Sequence, residues 1–271
     1  MKTYPKFQLI DPARRLSEVP ETSPANLLEP LFELANPAIL ASAHPLTIEG
    51  HAERIPKILL LGNRSGGVPL RVALFAGLDA GRLETVAAAS RLLLQLAISP
   101  SLAEDYALFS YPIVNPAGFG PGKTSVAALQ NRWATKAESP DASYFRSEFR
   151  RTSHHGLITF RSTGLNSAFR ATVRSKLIGE EVVAPALRAM ESLVPVDSVP
   201  VEILPLNVAA RRADYATARL MPNPETRPWP FEIELHAPAA ASADSRAQVL
   251  ALATQEILRR YRRFIAQGGD L

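Results

Sequence analysis

The chain has 271 residues, 46% of them hydrophobic and 21% charged, enough for one large α/β domain with a buried core or for two small ones. With 30 Lys and Arg against 26 Asp and Glu, the formal net charge is only +4, so no nucleic-acid surface is expected; the densest basic run, Arg259, Arg260, Arg262 and Arg263, falls on a terminal helix. The absence of cysteine excludes disulfides, thiolate metal sites and cysteine nucleophiles. No stretch approaches the ~20 apolar residues of a membrane span, and Met1–Ile10 has no apolar signal core, so the expectation is a cytoplasmic protein without membrane contact.

Residues 1–24, with Pro5, Pro12, Pro20 and Pro24, read as an extended lead-in to a single domain over 25–271. Leu27, Leu28, Leu31 and Leu34 share one face of a short helix over Asn26–Leu34. A strand is expected at Lys57–Leu61, then a turn at Asn63–Gly67, then a nearly all-apolar strand at Leu70–Leu78, the pattern of a strand covered on both faces. Leu83–Ile98 reads as a helix ended by Ser99-Pro100, and Tyr106–Val114 as a third strand ended by Asn115-Pro116.

Residues 116–153 are loop-rich, with a helix at Val126–Trp133 and the possibility of a lid over 120–153. Short strands follow at Leu157–Phe160 and Ala171–Ile178, then a helix over Glu180–Leu193 kinked by Pro185. Residues 194–230 are punctuated by proline and take no assignment. Phe231–Leu235 alternates as a strand, and Ser242-Ala243-Asp244 caps a final helix running to about Ile265. The alternation of strand and helix predicts an α/β fold: a three-layer sandwich with a mixed, mostly parallel sheet and helices on both faces.

Several segments, in order, resemble the zinc carboxypeptidases (peptidase family M14) and the related desuccinylase-like deacylases. Pro45-Leu46-Thr47-Ile48-Glu49-Gly50-His51 and the strand ending at Gly62 resemble that family's opening block. Leu70–Gly77 resembles its strand leading into H-x-x-E. Tyr111-Pro112-Ile113-Val114-Asn115-Pro116-Ala117-Gly118-Phe119 is similar to its P-x-x-N-P-D-G-F signature, the most specific match, with Asn115, Pro116, Gly118 and Phe119 as its signature loop. Phe231-Glu232-Ile233-Glu234-Leu235 resembles the strand that carries its general base, at Glu234.

The resemblance implies a Zn²⁺ held by two histidines and a glutamate, activating a water. The matching positions here hold Asp79 and Arg82, in Asp79-Ala80-Gly81-Arg82, and Arg161. Arginine carries a permanent positive charge and no acceptor, so it repels a dication and does not ligate one. The family's substrate-clamping block is distorted to Tyr144-Phe145-Arg146-Ser147-Glu148-Phe149, which offers Arg146. The expectation is therefore a pseudo-peptidase without metal or other cofactor. Asp79, Arg82, Arg161 and Glu234 converge in it, and with Arg146 and His236 they form a pocket for a small anionic ligand, a peptide end or a protein partner.

The alternative is an active metallo-carboxypeptidase or deacylase with a rearranged zinc site. No pair among His44, His51, His154, His155 and His236 has metal-ligand spacing, and adjacent His154 and His155 point to opposite sides of an extended chain. His236 lies on the same strand face as Glu234. A third reading is nucleotide binding. Ala117–Thr124 fits a relaxed phosphate-loop pattern in which Lys123 would reach a phosphate, but Pro121 removes a backbone donor from it. No Gly-x-Ser-x-Gly elbow is present to support a serine hydrolase.

Overall fold

The computed structural model describes residues 24, 26–33, 39–48, 51–63, 68–119, 154–164, 166–204 and 231–268. Its strands are β1 (Ile39–Ile48), β2 (His51–Leu61), β3 (Leu70–Phe75), β4 (Tyr106–Tyr111), β5 (Gly156–Arg161), β6 (Phe169–Val173), β7 (Val196–Ile203) and β8 (Phe231–His236). Its helices are α1 (Glu29–Glu33), α2 (Leu83–Ile98), α3 (Lys176–Ile178), α4 (Ala184–Arg188) and α5 (Ala243–Gly268). The eight strands make one mixed sheet in the order β1-β2-β4-β3-β5-β8-β6-β7. Neighbours β4, β3, β5 and β8 run parallel, as do β6 and β7, whereas β1/β2, β2/β4 and β6/β8 are antiparallel. The α/β fold class and mixed sheet read from the sequence are those of the structure.

Strands β3 and β4 run parallel because α2 carries the chain back between them. Alternate residues then serve two faces. Val72, Leu74, Leu108, Ile158, Phe160, Ile233 and Leu235 join the main core with α1, α2, α4 and α5. Ala73, Phe75, Tyr111 and Leu157 form a second, smaller cluster on the opposite face. All described helices that enter a core enter the main one. Helix α2 packs on α5, and the Tyr106 hydroxyl at the start of β4 donates to the Leu258 carbonyl of α5 at 2.7 Å.

Helix α2 has the predicted bounds, and the Ser99 amide closes it on the Gln95 carbonyl at 2.9 Å before Pro100. Helix α5 starts where Ser242 was read as its cap: the Ser245 amide donates to Ser242 Oγ at 3.1 Å. Three predictions are corrected. The expected strand over Ala171–Ile178 is β6, ending at Val173, and Ser175 caps α3 by accepting from the Ile178 amide at 3.3 Å. The helix expected over Glu180–Leu193 begins earlier and stops at Arg188. A π turn at Gly179–Val183 precedes Pro185, and the wider turn accommodates a residue with no amide hydrogen to donate. The strand expected at Lys57–Leu61 is only the end of β2, which pairs along its length with β1. Residues 1–23 of the lead-in, Leu34, the helix at Val126–Trp133 and the segments holding Lys123 and Arg146 lie outside the described residues.

The basic run on α5 is largely paired. Arg259 and Arg260 reach Glu256, each with an Nε contact of 2.7 Å, and Arg262 reaches Glu104 at 2.7 Å. Tyr261, the aromatic inside that run, is wholly buried and stacks edge-on against Phe231. No described helix is long and apolar enough to cross a membrane.

Candidate functional site

The carboxyl ends of β3, β5 and β8 lie side by side, the usual place for a site in a parallel sheet. Residues after β3 turn sharply into α2, and the Asn-Pro-Ala-Gly-Phe segment after β4 holds that turn. Asn115 Nδ2 donates to the Leu78 carbonyl at 3.2 Å, and the Gly81 amide donates to the Gly118 carbonyl at 3.1 Å. Asn115 Oδ1 accepts from the Gly118 amide at 3.2 Å. A Cβ on Gly118 would lie 2.2 Å from Asn115 Nδ2, so any larger residue breaks the clamp. Pro116 opens the 3₁₀ turn Pro116–Phe119, and Phe119 packs against the main core. The signature loop thus positions Asp79.

Asp79, 1% exposed, accepts from Arg161 through Nε at 3.3 and 3.4 Å and through Nη2 at 3.1 Å. Its Oδ2 also accepts from the Ser162 amide at 2.7 Å. Arg161 ends β5, and its Nη1 lies 3.9 Å from Glu234 Oε2 on β8, an ion pair longer than a hydrogen bond. His236 Nε2 is 3.7 Å from the same Glu234 oxygen and 3.1 Å from Thr172 Oγ1 on β6. These groups meet because positions 159 and 161 of β5 pair with 234 and 236 of β8, while 172 of β6 pairs with 234 from the other side. Glu234 approaches the same imidazole nitrogen as Thr172, so the three do not form a hydroxyl–imidazole–carboxylate relay, which needs the carboxylate on the far nitrogen.

The structure therefore brings Asp79, Arg161, Glu234 and His236 together. Arg82 is not joined to them by a hydrogen bond or ion pair, because it immediately precedes α2 and its guanidinium runs to the loop after β5. There Nη2 would lie 3.0 Å from a Cβ on Gly164. Among the described residues Arg82 forms no ion pair. Arg146 lies outside them.

Sequence reasoning missed the groups behind Asp79. Ser162 Oγ donates to Glu84 Oε1 at 2.6 Å, and Arg246 Nη2 pairs with that oxygen at 3.1 Å. Arg91 pairs with Asp244 at the start of α5. The signal was available: Glu84 and Arg91 are the charged residues in the otherwise apolar and small-residue run Leu83–Ile98, and buried charges are paired.

His154 and His155 belong to another region, the amino end of β5. His154 is buried edge-on against Phe109, with ring centroids 5.0 Å apart. His155 Nδ1 accepts from the Arg71 amide at 2.9 Å, which fixes the proton on Nε2. Burial, aided by the Arg71 charge, lowers the His155 pKa below the ordinary histidine value. The unfolded chain then takes up the proton first as pH falls. This contribution to stability is complete above about pH 6.5 and is lost as pH falls below it. Denaturant unfolding of His155→Asn is expected to show a flatter loss of stability between about pH 7 and 5 than the wild type. An identical slope would remove His155 from the acid response.

The described residues do not fit a zinc ion. No group of three or more His, Asp or Glu side chains among the described residues is placed to hold a metal. Asp79 is saturated by the Arg161 guanidinium and the Ser162 amide, and a fixed guanidinium beside it opposes a dication.

No protein-family model and no curated protein matches the sequence. Solved structures do match. A protein from Shewanella baltica OS155 taken to be a metallopeptidase superposes with a TM-score of 0.63 at 15% identity, over 87% of this chain and 90% of that one. A metallo-carboxypeptidase from Burkholderia cenocepacia gives 0.62 at 14% identity, over 89% and 68% of the two chains. Carboxypeptidase A from Helicoverpa armigera gives 0.58 at 14% identity, over 91% and 73%. Identity at this level carries the architecture and not the chemistry. The mixed eight-stranded sheet, together with these likenesses, identifies the chain as having the carboxypeptidase-like α/β fold of metallopeptidases.

Proposed function

We propose that this chain is a non-hydrolytic protein built on the carboxypeptidase-like fold, one that binds a small anionic ligand, a peptide end or a protein partner at the carboxyl edge of its central strands. The observation that carries the reading is the Arg161 guanidinium seated on Asp79. A hydrolytic zinc site keeps three protein ligands and one open position for water. Here the carboxylate after β3 is closed by a side-chain cation. Glu234 occupies the strand position that the sequence resemblance assigns to a general base, but it faces the Arg161 guanidinium at 3.9 Å, a group that gives up no proton to a base.

An anionic ligand finds its partner in Arg82 rather than Arg161. Two of the Arg161 nitrogens are committed to Asp79, whereas Arg82 is half-buried at the rim and unpaired among the described residues. The test is metal content followed by hydrolysis. Protein purified without chelator is expected to hold far less than one zinc per chain, and added Zn²⁺ is expected to produce no cleavage of acyl-amino-acid or peptide substrates. Stoichiometric zinc with metal-dependent turnover would establish the rearranged active enzyme instead.

A further inference from the structure

Asp79 is a carboxylate removed from water, and such a group is tolerated only against matching positive charge and hydrogen-bond donors. Arg161 meets this need with a planar fork, two of whose nitrogens face Asp79 while the third faces Glu234. The Ser162 amide supplies a further donor to Asp79, and Thr172 holds His236 Nε2. The carboxylates of Asp79 and Glu234 therefore flank one flat cation, contributed from β5, between the end of β3 and the middle of β8.

We propose that Asp79 and Glu234 form a socket for a guanidinium group, filled in cis by Arg161. The ligand class the socket takes in trans, once the Arg161 side chain is truncated, is a small guanidinium or amidinium. This rests on the reading of the site as metal-free. A flat fork matches the Asp79 carboxylate by hydrogen bonds from two of its nitrogens, and the Glu234 carboxylate adds opposite charge 3.9 Å from the third. A dication instead requires at least three inward donors, and the described residues place no such set there. In the wild type the socket is closed by its own chain, so neither free guanidinium nor a divalent cation has an open seat.

The experiment is thermal unfolding of wild type, Arg161→Ala and Arg161→Lys, each alone and with about 10 mM methylguanidinium, methylammonium or a stoichiometric excess of Zn²⁺. Arg161→Ala is expected to melt about 6–12 °C below the wild type. Methylguanidinium is expected to recover at least half of that loss, methylammonium less than half as much as methylguanidinium, and Zn²⁺ none, with no addition raising the wild type. Arg161→Lys keeps the charge without the fork and is expected to lose at least half as much as Arg161→Ala.

The socket is overturned by an Arg161→Ala melting temperature equal to the wild type, by absence of methylguanidinium recovery, or by greater stabilisation with Zn²⁺ than with methylguanidinium. If Arg161→Ala does not fold alone, refolding with and without methylguanidinium gives the same reading: recovery only with the guanidinium supports the socket, and no recovery sinks it. Zinc content of the wild type separates the two failures. Bound zinc overturns the metal-free reading, whereas failed rescue in zinc-free protein overturns the socket alone.

Discussion

Asp79→Ala is expected to destabilise the protein by about 3–5 kcal/mol, the range for removing one partner of a buried ion pair. The loss exceeds that of an ordinary surface pair because the guanidinium left behind is itself mostly buried, with Arg161 only 16% exposed. The Ser162 amide loses its acceptor as well, and an unmet buried donor adds a desolvation cost. Asp79→Asn keeps an acceptor for that amide and should lose less. Denaturant unfolding of both variants, and of Asp79→Ala combined with Arg161→Met, checks the account. The double variant should cost clearly less than the sum of the single ones, because the second change removes the stranded charge. Additive losses would mean that the two side chains do not act as a pair.

Phe231→Ala should cost a similar amount, about 3–5 kcal/mol, through a different mechanism: a lost aromatic ring and the cavity it leaves. Phe231 is 1% exposed, and its ring lies edge-on to Tyr261 with centroids 4.5 Å apart. It also lies over Gly156, its register partner on β5, where a Cβ would come within 2.1 Å of the ring. Gly156→Ala should therefore be destabilising too, by about 1–3 kcal/mol, because the ring must move. Since Phe231 begins the strand that carries Glu234 and His236, unfolding measurements should be accompanied by a check that the ends of β5 and β8 keep their register. A loss below about 1 kcal/mol for Phe231→Ala would show that the site can collapse around the missing ring.

What could be read from the sequence follows from how local each signal is. Helix α2 has the predicted bounds because its apolar spacing and its Ser99-Pro100 stop are contiguous in the chain. Strands β3, β4 and β5 were legible as short apolar runs and β8 as an alternating one, with errors confined to their ends. Strand β1 was not, since Pro45 interrupts its pattern, and β7 was not, since Pro200 argues against a strand. The sheet order resolves both cases: β1 and β7 are its two outermost strands, where a missing amide donor is tolerated. At the site, Asp79, Arg161 and Glu234 were expected to meet because the family resemblance assigns them to ligand and base positions, and His236 because it shares a strand face with Glu234. Ser162, Glu84 and Arg246 were not, because their relation to Asp79 depends on how α2 and α5 lie against the sheet. The direction of Arg82 was misjudged for a similar reason. Its guanidinium reaches the loop at Gly164 and is in no ion pair with a described carboxylate.

The contacts around Asp79 also have a kinetic meaning. Its bonds to Arg161 and Ser162 join positions 82 and 83 residues apart, and the Ser162–Glu84 bond spans 78. Contacts so distant in the chain pay their loop-closure entropy before they return any energy, so they are expected to form late in folding, which the folding and unfolding rates of Asp79→Ala against the wild type check. Loss of Asp79 should then speed unfolding far more than it slows folding, which makes the strand-end cluster a latch that sets how long the native state persists.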